Sequence, residues 1–393
     1  MKEIKNNIFY CGLNHRERKM FDELVPLPRG TTYNSYFVKG SEKNVLIDTM
    51  YPEKSDEYLE KLDEAGVIQI DYIVANHGEQ DHSGTLPKLV KKFPDAKILT
   101  NPKCKEIIQE MLHIEDEKFQ IVQDGEEISI GNKTLKFIYT PWVHWPDTMF
   151  TFIPEDKMMF TCDFLGSHFP FENLYAEETS ELLKAAKRYY AEIMMPFRTF
   201  CQKYVKMLKE MDLDMILTSH GPIYKNPGFI LSAYEEWTSD ECKNEVVIPY
   251  VSMYESTKEM VNYMTEKLSE KGIKTMPFNV VEEDLGELAM ELVQACTVVF
   301  GTSMVLAGPH PAAVTAAYLA GILRPKAKFV SFIGSYGWGG VLTQKLEQAL
   351  SAVKAEKLEP VIIKGKPKQE DFKKLDILID EIYQKHQDIG LFS

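Results

Sequence analysis

The chain has 393 residues, 44% of them apolar and 11% aromatic, with a formal net charge of −14. This is too long for one ordinary core and comfortable for two well-packed globular domains. The acid excess excludes nucleic acid as a partner, because phosphate neutralisation needs clustered Lys and Arg, and no apolar run predicts a membrane span or a signal peptide. The six cysteines are scattered, with no C-x-x-C pair. That excludes a built-in four-cysteine metal ribbon and predicts reduced thiols in the cytoplasm.

In chain order, "TTYNSYFVKG" and "KNVLIDTMY" predict consecutive strands, rich in Tyr, Val, Ile and Thr and broken by Gly-Ser. A helix follows over "PEKSDEYLEKLDEAG" and stops at Gly66. The apolar strand "IDYIVANH" empties into a cluster of histidines and acids. Further strands are predicted at "AKILT", "TLKFIYT", "MFTFIP" and "KMMFTCD", then a helix-rich insert at about 178–212, then the strand "DMILTSHG". From about residue 245 the texture changes to strands alternating with helices, beginning with "EVVIPYVSMYEST" and "KEMVNYMTEKLSEKG". That alternation predicts a parallel sheet covered on both faces. The expected domains are therefore 1–244 and 245–393.

Four strand ends in the first half carry potential metal ligands: His77, Glu79, Asp81 and His82 in "NHGEQDHSG", His144 in "TPWVHWPD", Asp163 in "FTCDF" and His220 in "LTSHG". A lone histidine or a helix-capping Asp at such a place is usually structural. Two acids and two imidazoles packed into 77–82 are different, because they repel or desolvate one another unless a cation neutralises them. Seven donors are too many for one tetrahedral ion and suit two metals sharing a carboxylate. The H-x-E-x-D-H run resembles the H-x-H-x-D-H signature of the metallo-β-lactamase superfamily, as do "NVLIDT" with Asp48 and "TSHG" with His220. Glu79 stands in place of the middle histidine. An anionic oxygen donor there makes the site harder and more negative, which favours an ion cycling between +2 and +3, iron above all, over redox-silent zinc.

The second half resembles flavodoxin. In "YVSMYESTKEM" the strand ends in Ser252, Met253, Tyr254, Glu255, Ser256 and Thr257 just before a helix, and hydroxyls with bare N–H groups at a helix start cradle phosphate. Without G-x-G-x-x-G, a mononucleotide such as FMN is the natural ligand. Two later strand ends offer Thr302, Ser303 and Met304, then Ser335, Tyr336, Gly337, Trp338, Gly339 and Gly340, with aromatics and close backbone for a flat ring.

A lactamase-like half followed by a flavodoxin-like half is the layout of the flavodiiron proteins, and the chain resembles that family from end to end. The stretches that carry the resemblance are "GTTYNSY", "NHGEQDHSG", "HWPDTMFT", "SHGPIY", "SMYESTKEM" and "YGWGG". It implies an N-terminal αββα sandwich and a C-terminal doubly wound parallel sheet. It also implies one iron on His77, Glu79 and His144, another on Asp81, His82 and His220, and Asp163 bridging. The family reduces dioxygen to water or nitric oxide to nitrous oxide, with electrons from rubredoxin or, in some archaeal members, a reduced deazaflavin. The resemblance further implies a head-to-tail homodimer, or a dimer of such dimers, in which one subunit's flavin serves the other's irons. Among the remaining side chains, His168 is a candidate proton donor, and Asp147 is expected to orient His144 through its second ring nitrogen. The second flavin stretch, "TSMVLAG", departs from the Pro-Thr and polar residues common in the family.

Two rival readings carry different chemistry. A dizinc hydrolase of the lactamase superfamily fused to a flavodoxin is opposed by Glu79. A non-catalytic flavin carrier is opposed by the retention of all seven donors.

Overall fold

The computed structural model describes residues 1–392, and these divide into two compact units, one over 1–238 and the other from Ser239 onward. The strand that opens the second unit already starts at Lys243, so the junction precedes the expected 244/245.

The first unit is built on two sheets. One has seven strands, from Lys2–Lys5 at one edge to Phe119–Ile121 at the other, and the second has five, including Met149–Ile153, Met158–Cys162 and Met215–Thr218. Alternation along each strand sends one set of side chains inward. Tyr36, Val38, Val45, Ile47, Val74 and Leu99 from the first sheet meet Leu135, Phe137, Met149, Ile153, Phe160 and Leu217 from the second in one buried cluster. Each fully buried Leu, Ile or Phe contributes about 1.5–3 kcal/mol. The outer face of the first sheet is covered through Tyr58 and Leu62 of helix Ser55–Glu64, Leu86 and Leu89 of Leu86–Lys92, and Cys104 and Ile108 of Pro102–Leu112. The second sheet is covered by Arg198–Glu210 and Pro227–Thr238, where Phe150 meets Tyr204 edge-on and Phe164 meets Tyr234. This is the αββα sandwich that the resemblance implied.

The second unit has five main parallel strands, Lys243–Tyr250, Lys274–Asn279, Ala295–Val305, Phe329–Tyr336 and Val361–Lys364. Their pairings give the spatial order 2-1-3-4-5 of a flavodoxin-like sheet. The third strand does not stop at a loop near residue 302. It runs on to Val305 and folds back through Gly308–Pro309, pairing Met304 with Pro309. Apolar "MV" continues the strand where a loop was expected. Among the described residues no helix is long and apolar enough to cross a membrane.

Candidate functional site

The polar site of the first unit lies where strands end. Strand Tyr72–Val74 leads into Asn76, whose backbone N and Nδ2 both donate to the Asp48 carboxylate at 2.9 Å. Fixing that exit aims His77 and Glu79 before the chain turns into the short helix Gln80–Ser83, which carries Asp81 and His82. Ser83 Oγ locks the turn by donating to Gly78 O at 2.8 Å and Glu79 O at 2.9 Å. Gly78 is required because Asp147 comes close: a Cβ there would lie 3.2 Å from Asp147 Oδ2 and 2.8 Å from Ile107. Asp163 follows directly on strand Met158–Cys162. His220 sits after Met215–Thr218, in a turn held by Asn34 Nδ2 donating to Thr218 O and Gly221 O. That is the work of the asparagine in "TTYNSY".

The seven predicted donors converge, and all lie in two groups. His77, Glu79, His144 and Asp163 offer atoms within 4.8 Å of one another, and so do Asp81, His82 and His220. In the first group Glu79 Oε2 is 3.2 Å from His77 Nε2 and 3.3 Å from His144 Nε2. Asp163 reaches both groups: Oδ2 is 3.7 Å from His77 Nε2 and 3.8 Å from His144 Nε2, while Oδ1 is 3.0 Å from His82 Nε2 and 3.3 Å from His220 Nε2.

In the second group, distances are short but directions are wrong for mutual bonding. Asp81 Oδ2 is 3.1 Å from His220 Nε2 and Oδ1 is 3.2 Å from His82 Nε2, yet all four atoms lack a hydrogen-bond partner although buried. Buried polar atoms are seldom left so. Atoms that are near but do not point at each other point at a common place between them, which is what a cation fills. Oxygen and imidazole donors with no thiolate suit a first-row metal such as iron. Cys162 Sγ is also within reach of His82 and Asp163, but burial pushes its thiol well above its ordinary value and keeps it a neutral, poor ligand.

Charge in the cluster is balanced internally. Burial opposes ionisation of Asp163 and Glu79, but the neighbouring imidazoles, His82 for the first and His144 for the second, hold both carboxyls below the usual carboxylate range. Burial likewise opposes charge on the histidines, yet Asp147 lifts His77 well above its ordinary value, and Asp163 with Asp81 lifts His220 to about 10. Protons here do what a metal pair does better.

Two of the ring nitrogens that face away from the cluster are tied down. His77 Nδ1 contacts Asp147 Oδ2 at 3.1 Å, and His220 Nδ1 donates to Thr32 O at 2.6 Å. This corrects the expectation that Asp147 orients His144: Asp147 belongs to His77, and it also accepts from Gly78 N at 2.7 Å. His168 is outside both donor groups. Its Nδ1 is 2.8 Å from Thr31 Oγ1, its ring centre is 5.2 Å from that of His220, and burial followed by the His220 charge keeps it neutral.

Sequence reasoning missed Tyr189, whose hydroxyl donates to Asp163 Oδ1 at 3.0 Å. It lies in the helical insert, 26 residues along the chain from Asp163, and nothing local to it signals a site. Phe21, Tyr33 and Trp145 were also missed; their rings wall the cluster at 5.7 Å and 5.9 Å from His220 and 5.0 Å from His77.

In the second unit a cavity of about 400 Å³ opens at the carboxyl ends of the strands. Of the predicted flavin residues, Ser252, Met253, Tyr254, Ser256, Ser303, Met304, Ser335, Tyr336, Gly337 and Trp338 line it. Thr257 and Thr302 lie beneath, buried and bonded to each other through Thr257 Oγ1 and Thr302 O at 3.3 Å. Glu255, Gly339 and Gly340 are not among the lining residues. Glu255 instead takes a left-handed φ of 65° ahead of helix Ser256–Glu270, and its own side chain does not cap the helix. Ser252 Oγ accepts the Lys258 N–H at 3.1 Å, and the N–H groups of Ser256 and Thr257, with the unpartnered buried Ser303 Oγ, suit a phosphate ester. Val305, Leu306 and Gly365 also line the cavity. Gly365 was legible as the end of "EPVIIKG"; the other two follow from the unforeseen hairpin.

The chain matches the model of the ODP family beta lactamase over residues 31–221, a stretch that contains all seven donors. It is 32% identical over 362 residues to the nitric oxide reductase of Moorella thermoacetica, covering 90% of each chain. Among solved structures, the rubredoxin oxygen:oxidoreductase of Desulfovibrio gigas superposes with a TM-score of 0.93 at 27% identity, over 98% of each chain. A flavo di-iron protein of Thermotoga maritima superposes with a TM-score of 0.87 at 26% identity, over 96% of each. Two sheets ending in seven convergent donors, a flavodoxin-like sheet with an open cavity, and relatives matched along nearly the whole length lead to one conclusion: the chain belongs to the flavodiiron proteins and is an oxidoreductase of that family.

Proposed function

We propose that the chain reduces nitric oxide to nitrous oxide, dioxygen to water, or both, at a pair of irons fed by FMN. The observation that carries this reading is Asp163, whose two oxygens face the two donor groups separately. His77, Glu79 and His144 would hold one iron, Asp81, His82 and His220 the other, and Asp163 would bridge them. The cavity of the second unit would hold FMN, with its phosphate at the start of Ser256–Glu270. When bound, the iron pair and the flavin supply the electrons that either gas requires.

The chain's own residues set the stage for that chemistry. Asp147 and the Thr32 carbonyl fix which nitrogen of His77 and of His220 faces the metals. Tyr189 stays a neutral phenol, since burial and the Asp163 charge both push it up, and it holds Asp163 in the bridging orientation by donating to Oδ1. Phe21, Tyr33 and Trp145 exclude water from the approach. His168 keeps a neutral ring beside His220 with an unpartnered Nε2, so it would relay a proton by first accepting one at that nitrogen.

Electrons come from an external donor, rubredoxin or a reduced deazaflavin, and a homodimer or a dimer of dimers brings one subunit's flavin to another's irons. The relatives' names support both gases. Anaerobically reduced holoprotein is mixed with each gas in a stopped-flow instrument; flavin reoxidation within catalytic times by at least one gas is expected. Failure with both would end the proposal. No observation favours the dizinc hydrolase.

A further inference from the structure

The hairpin that continues the third strand of the second unit carries residues that its turn does not call for. Val305 pairs with Gly308 across a two-residue turn, with Leu306 at φ 50° and Ala307 at φ 60°. A turn of this kind favours Asn-Gly, because a Cβ is strained in the left-handed region and glycine has none. Packing does not account for the leucine either, since Leu306 is 91% exposed. Neither the turn nor the core explains a large apolar side chain at this place.

The cavity does. Met304, Val305 and Leu306 line it together with Trp338, which is itself 67% exposed. The base of the hairpin is fixed by His310 N, which donates to Thr302 Oγ1 at 3.1 Å and to Ser303 O at 3.2 Å. Its far end is packed against the loop that bears Trp338: a Cβ on Gly340, at φ 142°, would lie 2.6 Å from Met304 Cε and 2.8 Å from Ala307 O. Hairpin and loop thus form one wall. The cavity is polar where Ser252 and Ser256 meet the start of Ser256–Glu270, and apolar along the hairpin. Leu306 lies three residues beyond Ser303, roughly 10 Å along the chain. A phosphate at the polar end and a flat ring at the apolar end match that division.

We propose that Leu306 covers the ring of the bound flavin and, by keeping water from it, sets the flavin's potential low. This rests on the reading that the cavity holds FMN. A leucine held over the ring adds apolar contact to binding, which gives the strained turn its purpose. The same contact separates the two redox states. The oxidised ring is neutral, whereas the ring that has taken up two electrons and one proton carries a negative charge, and charge is disfavoured away from water. Leu306 therefore favours the oxidised form and makes the reduced form the stronger electron donor.

The test removes FMN from the full-length protein, titrates FMN back, and measures the midpoint potential of the bound flavin anaerobically. Leu306→Ala is expected to weaken binding of oxidised FMN roughly tenfold, as for exposing a buried leucine, and to raise the midpoint potential. Leu306→Met, which keeps an apolar cover, restores both. Ala307→Gly relaxes the turn and keeps Leu306, so both stay as in the unaltered chain. Unchanged affinity or an unchanged potential in Leu306→Ala would overturn the proposal, and so would an equal loss in Ala307→Gly. An unaltered chain that takes up no FMN would overturn the reading of the cavity itself.

Discussion

Asp147 and His77 face each other across a buried contact, with Oδ1 and Oδ2 at 3.2 and 3.1 Å from Nδ1. The same carboxylate accepts the Gly78 N–H, so a single side chain fixes the ring, the backbone behind it and the start of the ligand turn. Asp147→Asn keeps the shape but takes away the negative charge behind the imidazole. Losses of this kind run to about 10–100-fold in metal affinity or activity. Competition with a calibrated chelator reads the affinity directly, and an unchanged value would contradict the role.

Asp163→Ala removes the one carboxylate that faces both donor groups. Iron content is expected to fall to background while FMN stays bound at one per chain, because the two sites belong to separate compact units. Metal analysis beside flavin absorbance checks this. Simultaneous loss of flavin would contradict the separation.

Glu79→His restores the three-histidine pattern of a zinc site. Removing an anionic oxygen donor softens the first group and lowers its negative charge, so the metal recovered from unsupplemented growth shifts from iron towards zinc. Unchanged iron occupancy would show that Glu79 does not select the metal.

His386 gives the second unit a pH dependence of its own. It is fully buried between Thr297 Oγ1 and Asn244 Oδ1, both at 2.7 Å, and burial brings it down to about 4. The folded chain therefore resists protonation that the unfolded chain accepts below about pH 6.5. Its contribution is complete above that pH and is lost as pH falls through 6.5 towards 4, by about 2–3 kcal/mol. Denaturant unfolding at pH 7 and pH 4.5 shows the loss, and His386→Gln should flatten that part of the profile. An equal slope in the variant would assign the effect elsewhere.

The convergence of the seven candidate donors was legible because metal chemistry concentrates its donors: four of seven fall within 77–82, and the others follow apolar strands that periodicity identifies. Partnerships were less so. Asp147 is near His144 in sequence and serves His77 in space, because the chain doubles back across Gly78. Tyr189 reaches Asp163 only through the packing of a helix. In the second unit, most of the strand-end residues expected at a flavin line one cavity, but Thr257 and Thr302 bond each other beneath it. Alternation tells which strand ends gather, and not which of neighbouring side chains points inward. The hairpin after residue 304 was hidden because an apolar stretch continues a strand as readily as it ends one.

The most direct test is a reductive titration of the oxidised protein under anaerobic conditions, counting electrons per chain. A flavin and a redox-active iron pair take up about four, two on each centre. An uptake of only two, all of it on the flavin, would mean that the seven donors hold a redox-silent ion and would contradict the account.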